Sequence, residues 1–527
     1  MPQPCQHKTL QLEPSAYARE VGFEWASPAQ RLAAATRSGR VPVLPPATTS
    51  GNGAKGGPRR KKADDARADK VARDLLESFP GPLVLPTDDL AWDPDYERQS
   101  FQAWCDDETR NRPTRARKTL YVAGVPEITD EVGFMREWLR AKPKAGNASS
   151  ASTFPELKTP DLDDYVAYLR AFYHGFTVKP FPQKLRFVAW EQKNRSKKYT
   201  YIGLANEADG TCTRIRARVA PDGVFGQQLN LQDVLDAEIS LLPRDAYALV
   251  LLVDHDLYED DEDDFCCGRA YGLNRVCVVS TARYHPILDE EELLGVKGGE
   301  KGQENTDTNT LDSLCEQQQH WWPASHCRAF VEAQVAAADV HRGTRIINSS
   351  TVSVSKSPMR AAIQAAANRV EQDTSTDTSR SSSRAEHLRT LWLARLVRTV
   401  SHELGHNLFL DHCVYYACMM QSTTGMAEDL RQPPYLCPVC LAKLSHKVAV
   451  ELLQERRQDR QDRQGGESGS DAEEEEDAAA RGAYVLKRYE ALAQVCDRWK
   501  EVGLFAGFQA WLRARIEVIR DEQRQVD

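Results

Sequence analysis

Residues 399–413 read TVSHELGHNLFLDHC, and no other stretch limits the possible folds so tightly. His402 and His406 are four positions apart, so on a helix they share one face and can grip a single ion. His412, six residues further on, can join them only if the helix ends and the chain turns back sharply. The run EHLRTLWLARLVRTVSHELGHNL (386–408) favours such a helix, having no proline and no interior breaker except Gly405. At 100° per residue, Leu393, Val397, Val400, Leu404 and Leu408 form an aliphatic stripe opposite the histidines, while Arg395 and Thr399 fall on the histidine side. The expected element buries one face and presents two imidazoles to a cleft.

Glu403 directly follows the first histidine. In HExxH sites this carboxylate does not bind the metal but takes a proton from the metal-bound water, whose pKa zinc lowers to about 7. The spacing therefore points to a zinc hydrolase, with His402, His406 and His412 as ligands and Glu403 as general base. Phe409 sits inside the turn, where such motifs carry glycine because glycine accepts a positive φ. A bulky residue in that conformation is an outlier. Two escapes are open: Asn407 ends the helix early in its place, or Phe409 takes an ordinary conformation in a reshaped loop. A catalytically impaired, zinc-stabilised interaction protein is the rival reading, and Phe409 is its main support.

Four cysteines follow in HCVYYACMMQSTTGMAEDLRQPPYLCPVC (412–440), paired as Cys413 with Cys418 and Cys437 with Cys440. Four thiolates complete a tetrahedral zinc and leave no open position, so this site is expected to be structural. Zinc is thus the expected cofactor, two ions per chain, one catalytic and one structural. Cys413 adjoins His412, so a closed site there would pin the backbone beside the third ligand.

The 527-residue chain carries 13 cysteines, a net charge of −9, and hydrophobic and charged shares of 41% and 28%. Its N-terminus lacks the apolar core of a secretory signal, and an odd cysteine count is poor material for a disulfide framework. No run nears the roughly 18 apolar residues of a membrane span. The expected setting is intracellular, cytoplasmic or nuclear, with a peptide or protein as substrate. No membrane or nucleic-acid partner is expected: the charge is mildly acidic, and acids offset bases around 413–440. PRRKK (58–62) reads as a solvated basic run, with nuclear import as the lesser alternative.

Strand-like runs occur at KLRFVAW (184–190), CTRIRARVA (212–220), YALVLLVD (247–254) and RVCVVSTARY (275–284). A helix-spaced segment, LQDVLDAEISLLP (231–243), separates the second from the third. Such alternation implies an α/β layer with a mixed sheet. Loop composition marks 295–310 and 372–384, with an isolated helix at 359–372 between them.

The string HELGHNLFLDHC…CMM…CPVC resembles the archaemetzincins, zinc peptidases of metzincin type whose pattern is HExxHxxGxxHC followed by CxM and CxxC. Phe409 is the single departure. The resemblance implies His402, His406 and His412 on catalytic zinc, Glu403 as base, and Met420 as the Met-turn residue beneath the metal. It also implies Cys413, Cys418, Cys437 and Cys440 on the second zinc. The implied fold is α/β (α+β): a twisted mixed sheet with helices, a mainly helical lower subdomain, and a zinc cleft between them lined by an edge strand, here assigned to 263–272. The expected division is a disordered tail at 1–75 and an upper subdomain at 76–286. Largely disordered insertions at 287–386 follow, then the zinc helix, cysteine site and C-terminal helices at 387–527, with a disordered linker at 456–482.

The remaining polar landmarks read as structural. His255 and His285 are lone histidines at strand ends, Cys266 and Cys267 are strand cysteines, and HWWPASHC (320–327) lacks the partner spacing of a third metal site. Arg395 and Arg398, near the histidine face, are candidates for substrate contact.

Overall fold

The computed structural model describes residues 9–42, 69–72, 74–142, 157–191, 199–289, 321–338, 357–374, 381–452 and 470–526. In chain order its strands are β1 (Thr119–Ala123), β2 (Glu127–Ile128), β3 (Thr177–Pro180), β4 (Leu185–Ala189), β5 (Thr200–Asn206) and β6 (Cys212–Arg218). They continue with β7 (Gln228–Asn230), β8 (Ala246–Val253), β9 (Asp256–Tyr258), β10 (Gly268–Tyr271) and β11 (Val276–Ser280). The architecture is mixed α/β, as the alternation of strand and helix patterns implies.

The described strands form two sheets rather than one. Five run in the order β10-β11-β8-β1-β3 and six in the order β2-β4-β5-β6-β7-β9. The split follows from the residue patterns. β8 is apolar at every position and all eight residues are buried, which suits a parallel centre covered on both faces. β4 to β6 mix buried with more exposed positions and pair antiparallel in a meander, so they need only one covered face. Alternation along the five-stranded sheet feeds two cores. Leu120, Val122, Val250, Leu252, Cys277 and Val279 belong to the core that holds the 381–407 helix. Tyr121, Leu249, Leu251, Val276 and Val278 pack with residues of the second sheet and of the helix Leu231–Leu241. The Asn230 side chain caps that helix, accepting from the Asp233 amide at 3.0 Å.

Expectations of disorder or isolation are corrected in four segments. Residues 9–42 are folded: helices Ala16–Glu20 and Pro28–Ala34 are capped by Ser15 and Ser27, and Ala18 and Phe23 cluster with Val84, Leu90 and Val414. Residues 321–338 carry buried Trp321 and Trp322 and a helix at Arg328–Ala337. The helix Pro358–Thr374 is not isolated but lies on the C-terminal helix Gly503–Val526. At Gly507 a Cβ would meet the Ala362 carbonyl at 3.2 Å, so the two helices touch where neither could carry more bulk. Composition marked these segments as polar, yet a few tryptophan, alanine and methionine anchors suffice to seat them. The helix Ser470–Cys496 likewise begins inside the stretch expected as a linker. The basic run 58–62, the loop 295–310 and most of the linker lie outside the described residues.

Candidate metal centre

The expected long helix spans Ser381–Asn407. Leu393, Val397, Val400, Leu404 and Leu408 are all at most 2% exposed, so the aliphatic stripe is the buried face. The imidazoles of His402, His406 and His412 converge, with one ring nitrogen from each within 4.8 Å of the others. His402 Nδ1 donates to the Met419 carbonyl at 2.7 Å and His406 Nδ1 to the Leu410 carbonyl at 2.8 Å. Since a carbonyl can only accept, both rings carry their proton on Nδ1 and turn the Nε2 lone pair inward. Those two Nε2 atoms are 3.0 Å apart. Two lone pairs at that distance repel, and a shared cation removes the repulsion; tetrahedral zinc would hold two nitrogens roughly 3.3 Å apart. Burial, ahead of repulsion between the rings, pushes His406 well below the usual imidazole range and His412 to about 4. All three are thus neutral near pH 7, the form a metal needs, and the donor set fits zinc with a position left for water.

The turn that brings His412 back is made by Phe409 itself, at φ 65°. Both escapes anticipated from the sequence are overturned: Asn407 stays helical, and Phe409 adopts the left-handed conformation that glycine would have taken. The Leu410 amide donates to the Gly405 carbonyl at 3.1 Å and the Phe409 amide to the His406 carbonyl at 2.9 Å, a Schellman closure with Phe409 at its left-handed position. This costs about 1–2 kcal/mol for an L-residue. Several contacts offset it. Trp104 Nε1 donates to the Leu408 carbonyl at 3.2 Å, Gln99 Nε2 to the Phe409 carbonyl at 3.2 Å, and the Phe409 ring packs on Phe101, Trp104 and Cys105. At about 0.5–1.5 kcal/mol per hydrogen bond, these suffice.

Met420 is fully buried beneath the helix. A Cβ on Gly405 would come within 2.5 Å of its sulfur, so the interior glycine is required by packing here rather than by backbone freedom. Glu403 is 8% exposed, and burial pushes its carboxyl up to about 8, opposed by Arg269 and assisted by Glu259. It faces a cleft of about 690 Å³ lined by Arg269, Tyr271, Thr399, Gln432 and the three histidines, among others. β10, the antiparallel edge strand of its sheet, forms one wall, inside the segment assigned to that role. Glycine permits the close approach: a Cβ at Gly268 would stand 3.2 Å from Glu403 Cγ, and one at Gly272 would stand 2.9 Å from the His406 carbonyl.

Cys413, Cys418, Cys437 and Cys440 bring their four sulfurs within 4.8 Å of one another, each residue at most 4% exposed. Hydrogen bonds from Cys418, Cys437 and Cys440 hold the Cys413 thiol well below its usual range, while burial pushes Cys418 and Cys437 up. Four buried sulfurs around one point suit a closed tetrahedral metal. The backbone joins the two clusters: the Cys413 amide donates to the Met420 carbonyl at 2.8 Å, and the Met419 carbonyl anchors His402.

Arg395 and Arg398 are not available to a substrate. Each is 1% exposed; Arg395 pairs with Asp289, the shorter contact 2.5 Å, and Arg398 with Asp429. His255 lies edge-on to Phe187 and Trp138, and His285 accepts the Ile287 amide while packing on Trp392, so both are structural. Cys266 and Cys267 are half-buried in the cleft wall ahead of β10 rather than inside a strand. Among the described residues His326 and Cys327 join no third metal cluster. Gln99, Trp104 and Arg269, which shape the site, were not singled out in the sequence; only the last carries a cue, as a charge next to Gly268 within the segment assigned to the edge strand.

Residues 383–446 match the family model described as Peptidase family M54. Archaemetzincin-2 of Mus musculus is 38% identical over 65 residues, covering 12% of this chain and 18% of that protein. Archaemetzincin-1 of Homo sapiens is 38% identical over 64 residues, covering 12% and 13%. The aligned stretch thus spans less than a fifth of either relative. The crystal structure of an archaemetzincin from Methanopyrus kandleri covers 64% of this chain and 97% of its own at 14% identity and a TM-score of 0.27, too loose a superposition to argue from.

Proposed function

With residues 383–446 archaemetzincin-like, we propose that the chain is a zinc-dependent metallopeptidase of metzincin type, acting on peptides or proteins. The observation that carries this reading is the convergence of three neutral imidazoles, two of them proton-locked by backbone carbonyls, beside a buried carboxylate in an open cleft. His402, His406 and His412 would hold the catalytic ion, and Cys413, Cys418, Cys437 and Cys440 a structural one, giving two zincs per chain. Bound at the imidazoles, zinc would supply a Lewis acid that acidifies water and polarises a peptide carbonyl.

The chain's own groups do the rest. Glu403 is the general base: a cation at the imidazoles would draw its buried carboxyl back toward the ionised form, in which it takes the proton of the attacking water and later returns it to the leaving amine. Its seat under β10 keeps that proton from bulk solvent. Among the described residues β10 pairs with a strand on one side only, and its other edge would offer backbone groups to an extended peptide, which would add as a further strand. Met420, under Gly405, supports the histidine helix from below. The rival reading of an impaired interaction protein loses its main support, because Phe409 makes the turn that a glycine would make.

The test is hydrolysis of a broad peptide library by wild type and Glu403→Gln, with zinc counted in both. Turnover should fall by about 10²- to 10⁴-fold in the variant at an unchanged two zincs per chain. Two zincs in both proteins with no wild-type turnover would overturn the peptidase assignment.

A further inference from the structure

Besides Trp104, which binds the Leu408 carbonyl, one side chain holds the far side of the left-handed Phe409 turn. Gln99 bridges the two sides of Leu410: its Nε2 donates to the Phe409 carbonyl at 3.2 Å, and its Oε1 accepts the Asp411 amide at 3.2 Å. Leu410, in between, supplies the carbonyl that locks His406. Asp411, next along, accepts the His412 amide on Oδ1 at 2.8 Å and the Tyr96 hydroxyl on the same oxygen at 2.8 Å. Gln99 is itself fixed by Lys443, whose Nζ donates to its Oε1 at 2.6 Å and to its backbone carbonyl at 2.7 Å. Lys443 is 1% exposed and sits on the helix Pro438–His446, whose N-cap is Cys437 and which carries Cys440.

We propose that Gln99 is the positioning residue for the imidazole site, clamping residues 409–411 so that a phenylalanine in the glycine position still delivers His412 to His402 and His406. A free glycine turn would need no such clamp. The Gln99 amide reads the carbonyl before Leu410 and the amide after it, and so fixes the course of the chain as it leaves the Phe409 turn. The route Cys437–Cys440 helix, Lys443, Gln99, Phe409 also gives the thiol cluster a side-chain link to the histidines, separate from the backbone link through Met419 and Met420.

The inference rests on the imidazoles binding a metal, not on peptidase activity. Its test is a double-mutant cycle on the full chain: wild type, Gln99→Ala, Phe409→Gly and the double variant. Cobalt(II) affinity at the imidazole site is read by chelator competition, and thiolate-bound metal is read separately from its charge-transfer absorption as a control for folding. Gln99→Ala should weaken cobalt binding by about 10- to 100-fold with thiolate metal retained. In the Phe409→Gly background the same change should cost less than about threefold. Gln99→Glu keeps the acceptor for Asp411 and Lys443 but loses the donor to Phe409, and should weaken binding as Gln99→Ala does. Unchanged affinity in Gln99→Ala, or an equal loss in both backgrounds, overturns the clamp while leaving the metal site standing. Failure of wild type to bind cobalt at the imidazoles overturns both.

Discussion

His412 and Cys413 are neighbours in the chain and belong to opposite kinds of site. His412 turns toward a cleft of about 690 Å³ and meets two imidazoles whose other nitrogens are tied to carbonyls. Cys413 turns inward and meets three sulfurs with almost no solvent contact. The imidazole cluster supplies three donors and leaves room for a reactant, whereas the thiol cluster supplies four and leaves none. Donor count and access, not proximity, are what would separate a catalytic metal site from a structural one. The shared segment 418–420 means that neither is mechanically independent, since the Met419 carbonyl holds His402 and Cys418 lies next to it.

The strongest way to break this contrast is Cys437→Ser. If the thiol cluster is structural, the variant should lose its zinc and at least about 4 kcal/mol of stability, measured by denaturant unfolding alongside a zinc count. Occupancy at the imidazoles should fall with it. Full retention of that second zinc would show that the clusters are uncoupled.

Gly405→Ala probes the opposite side. Alanine would gain about 1 kcal/mol in helix propensity, but its Cβ would lie 2.5 Å from the Met420 sulfur. Overpacking of that kind costs about 1–3 kcal/mol, so a net loss roughly up to 2 kcal/mol is expected in the melting curve, with thiolate zinc unaffected. A stabilised variant would mean that Met420 is free to move and does not support the histidine helix.

A smaller effect is expected from Gly268→Ala, whose Cβ would press on Glu403 Cγ and the Val278 carbonyl. On the proposed mechanism peptide turnover should drop roughly tenfold with the zinc count unchanged, because Glu403 would be displaced and the imidazoles would not. Wild-type turnover would show that β10 does not set the position of Glu403. Smallest is Trp104→Phe, which removes the donor to the Leu408 carbonyl and should cost about 1 kcal/mol in denaturant unfolding. Its metal loss should be confined to the imidazoles, and thiolate-site loss of equal size would assign Trp104 to the core alone.

Much of the site was legible because its grammar is local. An i, i+4 histidine pair, an aliphatic stripe at 100° spacing, and cysteines in two short-range pairs depend only on near neighbours, and each falls where the spacing puts it. The continuous apolar run of β8 likewise announced a strand covered on both faces. The buried arginines were illegible for the opposite reason. Arg395 and Arg398 sit on the histidine side by phase, but Asp289 and Asp429, more than 30 positions away in different directions, turn them into buried ion pairs. The split into two sheets was equally hidden, since alternation tells which faces are covered but not which strand is the neighbour.

Phe409 marks the boundary between the two kinds of information. The sequence by itself determined which residues could be ligands, that a reversal must lie between His406 and His412, and that an L-residue there would be strained. Whether the strain would be tolerated was a tertiary matter, decided by Gln99 and Trp104, which come from more than 300 residues away to bind the carbonyls of Phe409 and Leu408. A backbone preference is a property of one residue and its neighbours. The hydrogen bonds that overrule it exist only once distant segments have packed.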